Sequence, residues 1–558
     1  MSPSRLASKT LALAGAALLL ACSDPAPEQP PPEPPPAPVY DGPWTPLPEQ
    51  GEWQDTGPFV QCTDPATGQT PDCGLARPPD PSCDPSTFSV LERRNAVYRA
   101  EVRLESATRT NAGAIEWTYR PDDAGLQFDA NGNLKLVMRS GSASLQQDAR
   151  TFSFWSEASQ GSNLVRYSFA GCRALGPREF TGCFSYCQNG LMRRFGSFRA
   201  ERMSWRQDEP ESSGGLQLLS ESRVLRGRPA DVYVTKGHAY VVSLNALEAY
   251  GPGGGLTVFD VSDPRNPVLR TSFNLNDWNI YRGAYWNGVW AKGDALYVAS
   301  GEQGVLVFDI STPGNPVFQR AVPGGEADAH TVFVEGDRLY AMSPDAGATF
   351  LFDISDPLRP QLLSRYALPA PEPVPGQGGT ATGYPHDAFA YQGRLYVSHM
   401  SGGYGVVDVS TPEAPQYLGR YAYPYAVSHA SAVGTFNGRT VAFEGGETLG
   451  AHLRVLDVTD PAHIVKIGEH KLRAVTSIHN MLLVGTKLYV PWYHEGVRVF
   501  DVSEPSQPRQ VAHFNTYRET DPDRLDRMYE GAIGIRVPGD GYVYVIDTAR
   551  GLLVFNEP

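Results

Sequence analysis

The chain has 558 residues, is 41% hydrophobic and 19% charged, and carries a net charge of −14. That length exceeds one ordinary domain and that apolar content can fill sizeable cores, whereas an acidic balance with no basic stripe excludes a nucleic-acid partner. Gly (56 residues) and Pro (48) are abundant without reaching the level of a disordered chain, which suits a fold of many short strands and turns.

Residues 1–21 have the proportions of a secretory signal. Arg5 and Lys9 give a charged start, and Leu11 to Ala21 is an apolar run too short to span a bilayer. The run ends in Leu19-Leu20-Ala21-Cys22, which resembles a bacterial lipobox, with Cys22 acylated as the mature N-terminus. Ser23 rather than Asp follows the Cys, and by resemblance to enterobacterial sorting that directs the protein to the outer membrane. Residues 22–58 then read as a lipid-anchored Pro-rich linker. Its run QPPPEPPPAPVY favours polyproline II, a semi-rigid spacer.

Residues 59–205 read as a small β domain held by disulfides. Cys62, Cys73, Cys83, Cys172, Cys183 and Cys187 all fall in it, and no Cys follows. An even count in an exported chain reads as a disulfide framework whose fifteen pairings sequence leaves open. The rival, a zinc site, lacks partners, because no His occurs between residues 62 and 205. Alternating segments such as AVYRAEVRLES and RTFSFWSEA read as strands of a small sandwich or barrel. Asn131-Gly132 reads as a type I′ hairpin turn, and the Asp129–Asn133 stretch lacks the spacing and closing Glu of a calcium loop. Residues 206–215 read as a linker.

From residue 216 to 558 a unit recurs whose clearest part is GLTVFDVSDPRNP, GVLVFDISTPGNP, TFLFDISDPLRP and their like. Its marker positions are Asp260, Asp309, Asp353, Asp408, Asp457, Asp501 and Asn556, spaced 44 to 55 residues apart. Seven such copies predict a seven-bladed β-propeller of four-stranded blades. The marker Asp can accept backbone N–H bonds in the turn after the third strand. The seventh copy holds three strands, and Leu216–Val224 repeats the outer-strand pattern of blade 3, so an N-terminal strand is expected to close the ring and leave no open edge. The motif resembles the LVIVD-repeat propellers, including envelope proteins of the choice-of-anchor B type. The resemblance implies an exported or surface location and brings no catalytic residues with it.

In such blades the start of the innermost strand shares a face with the loop between second and third strands and with the blade-to-blade loop. The long loops at 248–255, 274–283, 369–383 and 516–528 fall on that face, the usual place for binding. His330, His386, His429 and His479 open the innermost strands of four consecutive blades, where Ala230, Trp286 and Glu530 stand in the others. Those four His are candidate metal ligands, since clustered imidazoles suit Zn or Cu, although a plain architectural role fits the same spacing. Trp286, Glu444, His399 and His494 are candidate binding residues on the same face. No G-x-S-x-G, H-E-x-x-H or phosphate-binding Gly loop is present.

The sequence therefore predicts an all-β protein: a seven-bladed propeller closed by an N-terminal strand and preceded by a disulfide-bearing β domain. The expected function is non-enzymatic, an envelope-anchored lipoprotein, monomeric, held to the membrane by its N-terminal lipid on the periplasmic side or the surface of the outer membrane. Its propeller is the binding or scaffold surface for a protein, peptide or glycan. The alternative is a metal-dependent, redox-type enzyme at the His cluster. No cofactor is identified beyond a Zn or Cu ion there.

Overall fold

In the computed structural model the described residues are 40–63, 73, 78, 80–138, 142–148, 150–205, 209–244, 254–274, 285–325, 327–372, 374 and 383–558. The signal segment, Cys22 and the Pro-rich run lie outside them, as do most of the loops at 248–255, 274–283 and 369–383. Among the described residues no helix is long and apolar enough to cross a membrane.

The Cys-bearing domain is one antiparallel sheet of eight strands. Its order is Leu134–Val137, Ile115–Phe128, Val97–Arg109, Leu191–Arg202, Glu179–Gln188, Asn163–Gly176, Phe152–Gln160 and Ala143–Gln147. The sheet curls until its two edge strands, neighbours in sequence, approach each other without pairing. Its interior is aromatic: Phe88, Phe152, Phe154, Phe169, Phe180, Phe184 and Phe198 pack with Tyr98 and Phe128. Phe88 and Phe152 stack at 3.9 Å between ring centroids. A domain this small gains its remaining stability from three disulfides, Cys62–Cys183, Cys73–Cys187 and Cys83–Cys172, each worth about 2–4 kcal/mol. The Asp129–Asn133 stretch is a hairpin turn in which the Asp129 carboxylate accepts from the backbone N–H groups of Asn131 and Asn133. Only Gly132 of the Asn131-Gly132 pair takes a positive φ, so the turn is not type I′, which needs both.

Seven sheets follow. Their first strands, Arg228–Thr235, Trp286–Lys292, Thr331–Glu335, Asp387–Tyr391, Ser428–Phe436, Leu482–Val484 and Ala532–Arg536, surround a central channel and touch in sequence, except that Ala532–Arg536 meets blade 6 through its second strand, Lys487–Pro491. Blade 7 is closed by Leu218–Ser222, which pairs antiparallel with Gly551–Asn556. The marker carboxylates act as the repeat implies: Asp309, Asp353 and Asp408 each accept the backbone N–H two residues on, at 2.7–2.8 Å. The one departure has a reason. The Asn556 side chain accepts from Gln217 N–H at 2.7 Å and donates to Gly215 C=O at 2.9 Å. A carboxylate there could not donate, so the amide ties the closing strand with both of its ends.

Two segments expected to be free chain are built in. Residues 42–57, counted in the sequence with the spacer, form a strap along blades 4 to 6. Leu47 N–H donates to Lys466 C=O, Glu52 N–H to Pro424 C=O, and the Trp44 indole to Glu504. In the 206–215 linker, Ser212–Ser213 adds a fifth strand to blade 6. The strap centres on Arg454, which is fully buried. It bonds Glu52 at 2.8 Å and Glu49 at 3.1 Å, lies 3.6 Å from Glu444, and covers the Tyr423 ring.

The loop at 516–528 is also not the free binding loop expected of it. The Cys-bearing barrel sits on it. Glu519 accepts from Val97 N–H and pairs with Arg202 at 2.6 Å, Asp526 C=O accepts from Arg99, and Arg524 C=O accepts from the Gln127 amide. Tyr517 and Met528 are buried with Trp53, Val97 and Met203. Burial of one large apolar side chain contributes about 1.5–3 kcal/mol. Gly125 is required at the contact, since a Cβ would stand 1.9 Å from the Asp526 carbonyl oxygen.

Candidate functional site

The innermost strands start on the long-loop face, and each begins with a side chain that reaches the channel. In blade order these are Arg228, Asn287, His330, His386, His429, His479 and Ile533, which together line a mouth cavity of about 400 Å³. The positions in blades 1, 2 and 7 are not the Ala230, Trp286 and Glu530 expected from the repeat; Glu530 is buried beside Arg524 and Thr548. β-bulges between Pro229 and Asp231 and between Trp286 and Val289 shift the register. A bulge turns a neighbouring side chain to the other face.

The four His form a continuous arc. Ring centroids are 4.1 Å apart from His330 to His386, 4.0 Å from His386 to His429 and 4.6 Å from His429 to His479. Nδ1 of His429 faces the His479 carbonyl oxygen at 2.9 Å, and Nδ1 of His479 faces the Ile533 carbonyl oxygen at 2.6 Å. Each ring thus ties its blade to the next. A carbonyl only accepts, so both Nδ1 atoms carry hydrogen and the Nε2 atoms turn into the mouth. His330 Nε2 meets the Asn287 amide at 3.0 Å. Burial, with His429 alongside, pulls His330 down to about 3, and burial first holds His386 and His479 well below the usual imidazole range.

Over the arc stands Glu447, from the loop between the second and third strands of blade 5. Its carboxylate lies 3.4 Å from His429 Nε2 and 3.9 Å from His479 Nε2. It accepts a hydrogen bond from the Tyr493 hydroxyl. Burial and then Glu447 push the Tyr493 phenol well above its ordinary range, so it keeps the proton it donates. Tyr493 takes a positive φ of 32°, an unfavoured conformation for a bulky residue. Tyr285 and Tyr529 complete the wall.

Below the arc a second cavity of about 310 Å³ shares Asn287, His386, His429 and His479 with the mouth. Its wall is Trp290, Phe333 and Phe389, three residues further along their strands, with Arg536 and Asp231. Arg536 lies over Trp290 at 4.2 Å. Burial, opposed by Arg536, raises the Asp231 carboxyl to about 6. The channel is therefore a polar collar between a mouth and an aromatic chamber.

The other sequence candidates do not line either cavity. Trp286 packs between blades 1 and 2. Glu444 is held by the Tyr423 hydroxyl beside Arg454. The ring of His399 fills the space against Gly383 and Gly402, and burial and then Arg420 lower it to about 4. His494 packs at a tilt against Tyr517, ring centroids 4.5 Å apart, beneath the barrel. Sequence reasoning missed Glu447, Arg228 and Asn287. Glu447 lies three residues beyond the Glu444 that was singled out, and the bulges that bring in Arg228 and Asn287 leave no sequence signal.

Residues 226–275 and 284–322 match the LVIVD repeat family. No curated protein matches the chain. Among solved structures the chain is similar to a protein from Lactobacillus plantarum, at 16% identity, covering 57% of this chain and 87% of that one, with a TM-score of 0.40. The WD40 β-propeller domain of Doa1 is 8% identical over 62% of this chain and 98% of its own, with a TM-score of 0.43. A protein from Desulfotomaculum acetoxidans is 13% identical over 52% and 86%, with a TM-score of 0.37. These likenesses are too distant to bear on what this chain binds. The matched residues are blades 1 and 2, and the same motif recurs through seven closed blades: residues 216–558 form an LVIVD-repeat β-propeller.

Proposed function

We propose that this is an exported, lipid-anchored binding protein that receives its ligand at the collared mouth of the propeller. The observation that carries the reading is the mouth itself: a cavity of about 400 Å³ to which each of the seven blades contributes at least one side chain, walled by Tyr285, Tyr493 and Tyr529 and holding both Glu447 and Arg228. A concave site with a few convergent polar groups on an aromatic wall is the usual form of a small-ligand site. The strap bonds along blades 4 to 6 and the barrel docks on the loop between blades 6 and 7, contacts that favour preorganised binding. Export is supported by three disulfides in one domain, which persist in oxidising compartments. Anchoring rests on Cys22 and the lipobox-like residues before it. The Pro-rich stretch before residue 42 would then hold the folded part off the lipid surface.

The test is a thermal-shift screen of glycans, short peptides and carboxylate metabolites on the parent and on Leu244→Trp. Leu244 is a half-buried residue at the mouth, packed on the edge of the core between blades 7 and 1; an indole there fills the opening, and a melting curve without ligand establishes that the variant is folded. Ligands that raise the melting temperature of the parent but not of the variant support the reading. Ligands that stabilise both alike place the site elsewhere.

A further inference from the structure

The mouth holds a set of groups that hydrogen bonding inside the protein does not explain. In His429 and His479 alike, Nδ1 is committed to a backbone carbonyl. That leaves Nε2 of each ring turned toward the mouth, and both Nε2 atoms face the same carboxylate, Glu447, at 3.4 Å (to Oε2) and 3.9 Å (to Oε1). A ring nitrogen beside a largely buried carboxylate is stabilised by a cation between them, whether a proton or a metal ion. Nε2 of His429 is buried with no hydrogen-bond partner. One ligand atom from each of the three residues lies within 4.8 Å of the other two. Tetrahedral ligands at a bond length of about 2.0–2.1 Å sit roughly 3.3 Å apart, so the two nitrogen–carboxylate separations of 3.4 and 3.9 Å need only a small closing movement.

We propose that His429 Nε2, His479 Nε2 and the Glu447 carboxylate bind one divalent first-row transition ion. The remaining coordination positions open into the mouth cavity. The surroundings match what such sites need. Each imidazole donates its other N–H to a carbonyl, which fixes the tautomer and aims the ligand nitrogen. Tyr493, a positioning residue, orients the carboxylate by its hydroxyl. Two imidazoles and a carboxylate leave an open coordination position for an outside ligand. The ion rests on the reading of the mouth as the ligand site and names the first thing that site takes up. Arg228 on the same wall gives an incoming anion a second positive partner. His330, whose Nε2 faces the Asn287 amide, lies outside the set. The four-His centre expected from the sequence is thereby narrowed to two His and a carboxylate that the sequence did not single out.

The experiment is calorimetric titration of chelator-dialysed full-length protein with Zn²⁺, repeated with Co²⁺ to read the visible absorption of a low-symmetry nitrogen–oxygen site. Parent protein should bind one ion per chain and show the Co²⁺ bands. Glu447→Gln and His479→Gln should each weaken binding at least tenfold and abolish the bands. His463→Ala, at an exposed His paired with Asp460, should change neither. Melting curves without metal establish that each variant is folded. If one variant does not fold, Tyr493→Phe provides the second reading, with weaker binding and altered bands. Absence of stoichiometric binding, or binding that the Glu447 and His479 variants leave unchanged, overturns the proposal. Such a failure leaves the Leu244→Trp comparison intact, so the mouth can still be judged as a site for an organic ligand.

Discussion

Replacing Arg454 by Met removes the guanidinium that bonds Glu52 and lies beside Glu444, leaving Glu52 with His452 at 3.2 Å, while keeping most of the side-chain volume. Arg454 is fully buried, as are Glu52 and Glu444, and it also bonds Glu49 at 3.1 Å. Removal of one partner of a buried ion pair costs about 3–5 kcal/mol, because the charges left behind are out of water and unpaired. The protein can relieve that cost by releasing the segment of the strap that carries Glu49 and Glu52, while Trp44, Trp53 and Asp55 on either side stay held by Glu504, Glu101 and Arg103. The loss should therefore be local. At about 1.4 kcal/mol per factor of ten, a change of about 3 kcal/mol raises the open population of the strap roughly a hundredfold. Hydrogen exchange reads this at two amides, Leu47 N–H bonded to Lys466 C=O and Glu52 N–H bonded to Pro424 C=O. Both should exchange about a hundredfold faster in Arg454→Met, with amides of the Phe-rich barrel core unchanged. Adding Glu52→Gln and Glu444→Gln should recover much of the protection. If Leu47 and Glu52 exchange at the parental rate, the strap is not held by the Arg454 cluster.

Acid should release the same strap. Burial alone would raise Glu49, yet Arg454, Tyr421 and Lys466 hold it down to about 2. A depressed carboxyl contributes stability that is complete above its unfolded value near 4.5 and is lost as pH falls toward 2, so proteolysis between residues 42 and 57 should rise through that window. His399 carries the same sign at higher pH. With a folded value of about 4 against 6.5 unfolded, it contributes up to about 3 kcal/mol that disappears as pH falls from 6.5 to 4, and His399→Gln should flatten that part of the stability profile. Cys22→Ser should move the protein from the membrane to the soluble fraction, because acylation supplies the anchor; sedimentation with washed membranes would place the anchor elsewhere. Asn556→Asp should lower stability by about 1 kcal/mol, read by urea unfolding, through loss of the bond donated to Gly215 C=O.

The propeller was legible because its evidence is repeated. Seven copies of one motif gave the blade count, and the outer-strand pattern at Leu216–Val224 located the closing strand, which pairs as expected. The disulfide framework was legible as a count, but pairing depends on which strands of the curled sheet lie side by side, and six Cys carry no such information. The site was half legible. His at the start of four inner strands predicts an arc, and the rings do stand 4.0–4.6 Å apart. Bulges moved the blade 1 and blade 2 positions by one or two residues, an event with no sequence mark. The strap and the docked 516–528 loop were missed for another reason. Nothing in the sequence marks Glu49, Glu52 and Arg524 as buried; long-range partners such as Arg454 and Asp547 are what take them out of water.

The claim that the protein carries its ligand in the collared mouth is tested most directly by native mass spectrometry of full-length protein released gently from its membrane, parent beside Leu244→Trp. The parent should carry a bound mass that survives desalting and is absent from the variant, with both folded to the same extent. Identical masses for the two, whether both bare or both loaded, would contradict the account.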